Sequence, residues 1–158
     1  MDTTDPPEDT LPERPLQNLL SFRLSQVQAK LNAQATKVLK TNGGLTLVQW
    51  RILVTMQITG ETTVGRIARE THFDKALISR TVQTLVAQGL ALMRTDENDH
   101  RQHLLTMTKA GQQAFEKAAP HMIARQNALT SAMTDEQLST LFDALDLLEE
   151  AADQEIES

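Results

Sequence analysis

The residues best suited to chemistry in this sequence are hydrogen-bonding rather than catalytic. Lys75, Ser79, Arg80 and Gln83 recur at short steps within a stretch free of proline and glycine. Guanidinium and carboxamide groups are planar and offer two adjacent hydrogen-bonding sites. Arg80 therefore matches the O6/N7 edge of guanine, and Gln83 the N6/N7 edge of adenine. Lys75 and Ser79 suit phosphate oxygens or base edges, and Ala76 and Leu77 suit a thymine methyl. Further along, Arg101 is a cation able to enter a narrow, electronegative minor groove, and His100 beside it can assist at a phosphate.

Catalytic groupings are missing from the sequence. It holds no G-x-S-x-G, H-E-x-x-H, P-loop or G-x-G-x-x-G pattern. With no cysteine, disulfides, thiolate metal ligands, cysteine nucleophiles and thiol-based redox sensing are excluded. The four histidines are His72, His100, His103 and His121. Metal binding at His100 and His103 would need carboxylates such as Asp96 or Asp99. No cofactor and no enzymatic activity are expected.

Positioning these side chains takes a specific set of elements. Met1–Pro15 carries four of the five prolines and is expected to be a disordered arm. From Leu16 to about Thr41, apolar residues fall at Leu16, Leu19, Leu20, Leu24, Val27, Leu31, Ala35, Val38 and Leu39. Those steps of three and four predict an amphipathic helix ended by Asn42-Gly43-Gly44. Thr46 predicts the N-cap of a helix over about 47–58, stopped by Gly60. Thr62 or Thr63 opens a short helix to about Glu70, and His72-Phe73 makes a turn. Asp74 caps the helix over about 75–88, whose buried stripe is Ile78, Val82, Leu85 and Val86. Gly89 stops it.

Two strands, at 90–94 and 103–107, then flank a polar loop. Asp99 is expected to pair with Arg94 or Arg101 and to shape that loop. Thr108 caps a long helix to about Met133, which Pro120 either kinks or splits. Thr134 and Gln137 form a capping-box pattern before the last helix, where Leu138, Leu141, Leu145 and Leu148 recur at alternating steps. The fold class is therefore mainly α with one small β-hairpin. A supporting helix, a tight turn and a second helix with polar residues on its exposed N-terminal half make a helix-turn-helix pattern. A plain charged surface helix would carry the same residues; the hairpin directly after it, as a wing, tips the balance.

Charge is distributed in the same sense. The net charge is −6, yet residues 1–15 carry −4, residues 134–158 carry −9, and the body between them carries +7. A phosphate backbone responds to the local field, so a basic body with acidic ends is compatible with nucleic acid. No apolar run approaches the ~18 residues of a membrane span. Residues 1–15 lack the apolar core of a secretory signal. A cytoplasmic protein with no membrane partner is expected.

The stretch LTLVQWRIL (45–53), the stretch TVGRIARETHFDKALISRTVQTLVAQGLALMRT (63–95) and DENDHRQHLLTMTKAG (96–111) resemble the MarR family, the multiple-antibiotic-resistance regulators. Asp96, Asp99, Arg101, Leu104, Thr108 and Gly111 fit the family's wing outline, with Met107 in place of a leucine. The sequence departs at Asn98 and His100, where many members carry a further wing arginine, and this bears on minor-groove affinity.

The resemblance implies a winged helix-turn-helix domain at 45–111. A first dimerisation helix would span 16–44 and C-terminal dimerisation helices 112–158, with Leu16, Leu20, Leu138, Leu141, Leu145 and Leu148 at the interface. It implies a homodimer on a pseudo-palindromic double-stranded DNA operator, acting as a repressor that a small aromatic or phenolic ligand releases. The sequence adds its own reason for dimerisation: the terminal stripes exceed what one small domain can cover. For the ligand, an apolar slot with a cation is required, and Arg23, Trp50 and Arg51 are the candidates. Each has a plainer alternative: a core helix crossing for Trp50, a surface salt bridge for Arg51, an ion pair with the last helix for Arg23. A winged-helix protein-interaction adaptor and a metal-responsive regulator are the competing readings.

Overall fold

The computed structural model describes residues 19–97 and 99–154; the expected arm at 1–15, Leu16 and Asn98 lie outside them. The element order is α1 (Leu20–Asn42), α2 (Leu47–Thr59), α3 (Val64–Thr71), α4 (Lys75–Ala87), β1 (Ala91–Thr95), β2 (His103–Met107), α5 (Lys109–Thr130) and α6 (Asp135–Ala152). Five of the helices start on a side-chain cap. Thr46, Thr63, Asp74, Thr108 and Thr134 each accept the backbone N–H three residues on, at 2.9–3.2 Å. Each bond satisfies one of the amide donors that a helix start leaves without an intrahelical partner. Thr46 and Thr134 are completed into capping boxes by Gln49 and Gln137.

The helix-turn-helix bends at His72, whose φ of 53° is left-handed. Phe73 follows, and Asp74 starts α4. After α4, Gly89 takes a φ of 71°, and Leu90 donates its amide to the Leu85 carbonyl at 2.8 Å. Leu90 is thereby spent on closing the helix, which is why β1 starts at Ala91 rather than at Leu90 as the pattern predicts. β1 and β2 pair antiparallel with Met93 opposite Leu105 and Thr95 opposite His103. An isolated bridge joins Thr62 to Leu105 through bonds of 3.0 and 2.8 Å, so the α2–α3 loop is stitched to the wing.

The core is contributed by every element except α6. Leu39, Ile52, Leu53, Met56, Ile67, Ile78, Leu85 and Leu105 are its largest fully enclosed members. α2 lies at the centre, burying Gln49, Ile52, Leu53, Thr55 and Met56; a helix surrounded by others need not be amphipathic. The stripe of α1 divides. Ala35 and Leu39 are buried, whereas Leu20, Leu24 and Val27 are exposed. α6 has no buried residue, and Leu141, Phe142, Leu145 and Leu147 face outward.

Pro120 neither splits nor ends its helix: α5 runs through it to Thr130. Proline costs one N–H bond and crowds the preceding turn. Here Pro120 is exposed while Ala118 and Met122, on either side of it, are buried, so packing holds the helix across the lost bond. No helix among the described residues is long and apolar enough to cross a membrane.

The tightest junction joins α5 to the wing. Thr108 Oγ1 donates to the Gly89 carbonyl at 2.7 Å and accepts from the Gly111 amide at 2.9 Å. The Thr108 amide bonds the Leu90 carbonyl at 3.1 Å. A Cβ at Gly111 would fall on the Leu90 carbonyl oxygen and lie 2.8 Å from Met107 Cγ. Since neither backbone can retreat cheaply, Gly111→Ala is expected to destabilise by about 3 kcal/mol. Gly65→Ala, whose Cβ would meet nothing nearer than 4.0 Å, should stay within about 1 kcal/mol of the parent. Urea unfolding of the two variants measures the contrast, and equal stabilities would remove the junction's claim to be tight.

Candidate nucleic-acid interface and ligand cavity

α3, α4 and the wing enclose a cleft of about 930 Å³ lined by Lys75, Ala76 and Ser79 of α4 and by Arg101, Gln102 and His103 of the wing. Lys75, Ala76 and Arg101 are exposed and Ser79 is half-buried. Four residues singled out from the sequence are thus brought together here. Leu77 is half-buried, and its amide is held by Asp74. Arg80, Gln83 and His100 are exposed but lie outside the lining of this cleft. Sequence reasoning missed Arg69, Gln102, His103 and the α3 start at Thr63 and Val64, which with Gly65 and Asp74 complete the lining. Arg69 could have been found from its place on the supporting helix. Its neighbour Arg66 is engaged with Glu70 at 2.7 Å.

The wing tip is organised by Asp99. Its carboxylate accepts from the Arg101 amide and from Gln102 Nε2, both at 3.0 Å. Gln102 N and O bond Asp99 O at 2.8 Å and Asp96 N at 3.0 Å. A carboxylate that gathers local amides in this way fixes a turn and leaves the Arg101 side chain exposed. Of the two partners expected for Asp99, Arg101 meets it through its amide, whereas Arg94 is engaged elsewhere. It donates to Glu61 Oε2 at 2.7 Å, because the Thr62–Leu105 bridge sets Glu61 beside β2 on the edge away from β1, and Arg94 reaches it across β2. Among the described residues no group of three or more His, Asp or Glu is arranged to hold a metal ion.

A second cavity, about 450 Å³, lies between α1, α2 and α5. Leu31, Leu47, Val54, Met122 and Leu129 supply apolar walls, with Trp50, Arg51 and Arg125. Trp50 stacks on Phe115, with ring centroids 5.1 Å apart and planes inclined by 7°. Arg51 sits over Phe73, its Cζ 4.8 Å from the ring centroid. An aromatic face, rather than the surface salt bridge of the plainer alternative, is its partner. Arg23 lies on the exposed part of α1, and Gln28 and Leu31 line the cavity in its stead. Arg125 is the cation that sequence reasoning missed. Its Nη2 donates to the Leu31 carbonyl at 2.9 Å, and its Nε is buried without a partner. No local pattern marks a contact across 94 residues.

Residues 43–102, from the end of α1 into the wing, match the model of the MarR family. The chain is 30% identical over 107 residues to the transcriptional activatory protein BadR of Rhodopseudomonas palustris, a match covering 66% of this chain and 61% of that protein. The matched part thus spans about three-fifths of that relative.

A MarR/EmrR family transcriptional regulator from Acinetobacter sp. ADP1 has a similar structure, with a TM-score of 0.78 at 24% identity over 85% of this chain and 95% of that one. BpsR of Bordetella bronchiseptica, solved to explain regulation of its DNA binding by 6-hydroxynicotinic acid, shares the fold. Its TM-score is 0.66 at 16% identity, over 80% of this chain and 98% of that one. The helix-turn-helix, the wing and the flanking helices share their fold with these regulators, and the central segment, residues 43–102, is similar to the MarR family.

Proposed function

We propose that the chain is a homodimeric transcriptional regulator that binds a pseudo-palindromic double-stranded DNA site. A small aromatic acid or phenol would release it, so that it acts as a repressor. The observation that carries this reading is the cleft in which Lys75, Ala76 and Ser79 of α4 meet Arg101 of the wing. An α-helix is about 10–12 Å across with its side chains, and the major groove is about 12 Å wide. With α4 in that groove, its exposed face turns Arg80 and Gln83 to base edges, and Lys75 and Ser79 to phosphates or base edges. Ala76 and Leu77 lie at thymine methyls, Arg101 enters the adjacent minor groove, and His100 sits at a phosphate. Arg69 joins the phosphate contacts from α3.

Dimerisation is supported by what each chain leaves uncovered. Leu20 is 59% exposed, Leu141 41% and Leu145 38%, and Leu138 and Leu148 are half-buried. A second copy would cover this apolar surface of α1 and α6. Its two-fold axis would set two α4 helices about 34 Å apart, one turn of DNA. The acidic polar face of α6 would lie away from the phosphates.

The effector reading is supported by the cavity between α1, α2 and α5. Its size falls within the ~300–1,000 Å³ of small-molecule sites, and guanidinium groups punctuate its apolar walls. Regulation of BpsR by 6-hydroxynicotinic acid fits the same class of ligand. The activatory role in BadR's name favours a second reading of the sign, in which the bound dimer recruits rather than blocks polymerase. A reporter fused to the target promoter separates the two.

Fluorescence anisotropy on the DNA immediately upstream of the gene, at two salt concentrations and against random DNA, tests the reading. Sequence-preferring binding that weakens steeply with salt is expected, because displaced counterions set the slope. Weak and equal binding to both DNAs would overturn it. Arg80→Ala should cost roughly 1–3 kcal/mol on the specific site and relax base preference there. Arg101→Ala should weaken binding more uniformly across sequences. Leu145→Glu should yield a monomer by sedimentation and lose specific binding; a variant that stays dimeric would sink the interface.

A further inference from the structure

Trp50 and Arg51 are neighbours on α2, yet they engage different parts of the fold. The Trp50 ring is fixed against Phe115 of α5. Arg51 faces the α1–α2–α5 cavity and also a groove of about 380 Å³ shared with Glu70 and Thr71 at the end of α3. Its guanidinium rests on the ring of Phe73. Among the described residues no carboxylate forms an ion pair with Arg51: Glu70 is held by Arg66, and Glu149 of α6 lies 3.9 Å from His72. The cation therefore has an aromatic face where a carboxylate would bind it more strongly.

Phe73 occupies a sensitive place. It follows the left-handed His72 and precedes Asp74, whose side chain starts α4 by accepting the Leu77 amide at 3.0 Å. Half-buried against the core, it joins the turn to the start of α4. One guanidinium thus touches both the cavity and the residue at the root of α4.

We propose that the Arg51–Phe73 contact couples the cavity to α4. With the cavity empty, Arg51 on Phe73 holds α4 in its DNA-binding pose. An acidic ligand draws Arg51 into the cavity, where Arg125 supplies a second guanidinium. Phe73 then loses its cation and α4 its hold. The ligand's differential affinity for the two Arg51 positions is what shifts DNA binding, as any such coupling requires. Acidity follows as the requirement for response: a neutral analogue of the same shape can fill the cavity yet leave Arg51 in place. The coupling rests on reading the cavity as an effector site.

The test uses the full chain and its promoter DNA, with 6-hydroxynicotinic acid and its amide as probes. Calorimetry measures probe binding, and anisotropy measures DNA affinity with and without each probe. In the wild type the acid should weaken DNA binding by roughly fivefold or more, and the amide by less than the acid. Phe73→Leu should weaken probe-free DNA binding several-fold. It should still bind the acid, with the acid's effect on DNA largely gone. Phe73→Tyr keeps an aromatic face and should behave as the wild type, separating loss of the ring from a general packing defect.

A Phe73→Leu protein that binds DNA as the wild type does and responds fully to the acid overturns the coupling while leaving the effector site intact. A wild type that binds neither probe overturns the effector reading for this class of acid. The probe-free arm then decides the contact itself: unchanged DNA affinity in both Phe73→Leu and Arg51→Gln removes it.

Discussion

The arrangement depends on one close approach, that of the first turn of α5 to the Leu90 carbonyl. No side-chain atom fits at residue 111, and Thr108 uses its hydroxyl and its amide to tie Gly89, Leu90 and Gly111 into one knot. The end of α4, the root of the wing and the start of α5 meet there. Wing and helix-turn-helix therefore form one stiff unit, and α5 leaves it at a fixed angle toward α1. Interiors packed at native density pass such a constraint on rather than absorbing it.

Local chemistry was the legible part of the sequence. Threonine or aspartate before an apolar-periodic run marked the starts of five helices, because the cap bond is made within four residues. Glycines marked the stops for a similar reason. Contacts that close over long separations were not legible. Glu61 against Arg94, Thr62 against Leu105, and Arg125 against Leu31 are set by packing, and no spacing rule encodes them. Leu90 reads as strand because its apolar character fits both uses, and only the helix-closing bond to Leu85 distinguishes them. The candidate DNA cleft was half legible. The α4 face followed from its stripe, whereas Arg69, Gln102 and His103 joined it only through folding.

α6 shows how little propensity accounts for on its own. It is well capped, with Asp135 and Glu136 in its first turn where a carboxylate complements the helix dipole. Yet none of its residues is fully buried within its own chain, and most of a helix's stability in a protein comes from packing its amphipathic face. A second copy, in the proposed dimer, would supply that burial, and the folding of this segment and the assembly of two chains would then be one equilibrium.

The Trp50–Phe115 stack has an optical corollary. The chain contains one tryptophan and no tyrosine, so its near-ultraviolet emission has a single source. That source is clamped between α2 and α5 on the wall of the cavity. Intrinsic fluorescence of this protein is therefore a local gauge of one helix crossing, free of background from the wing or from α6.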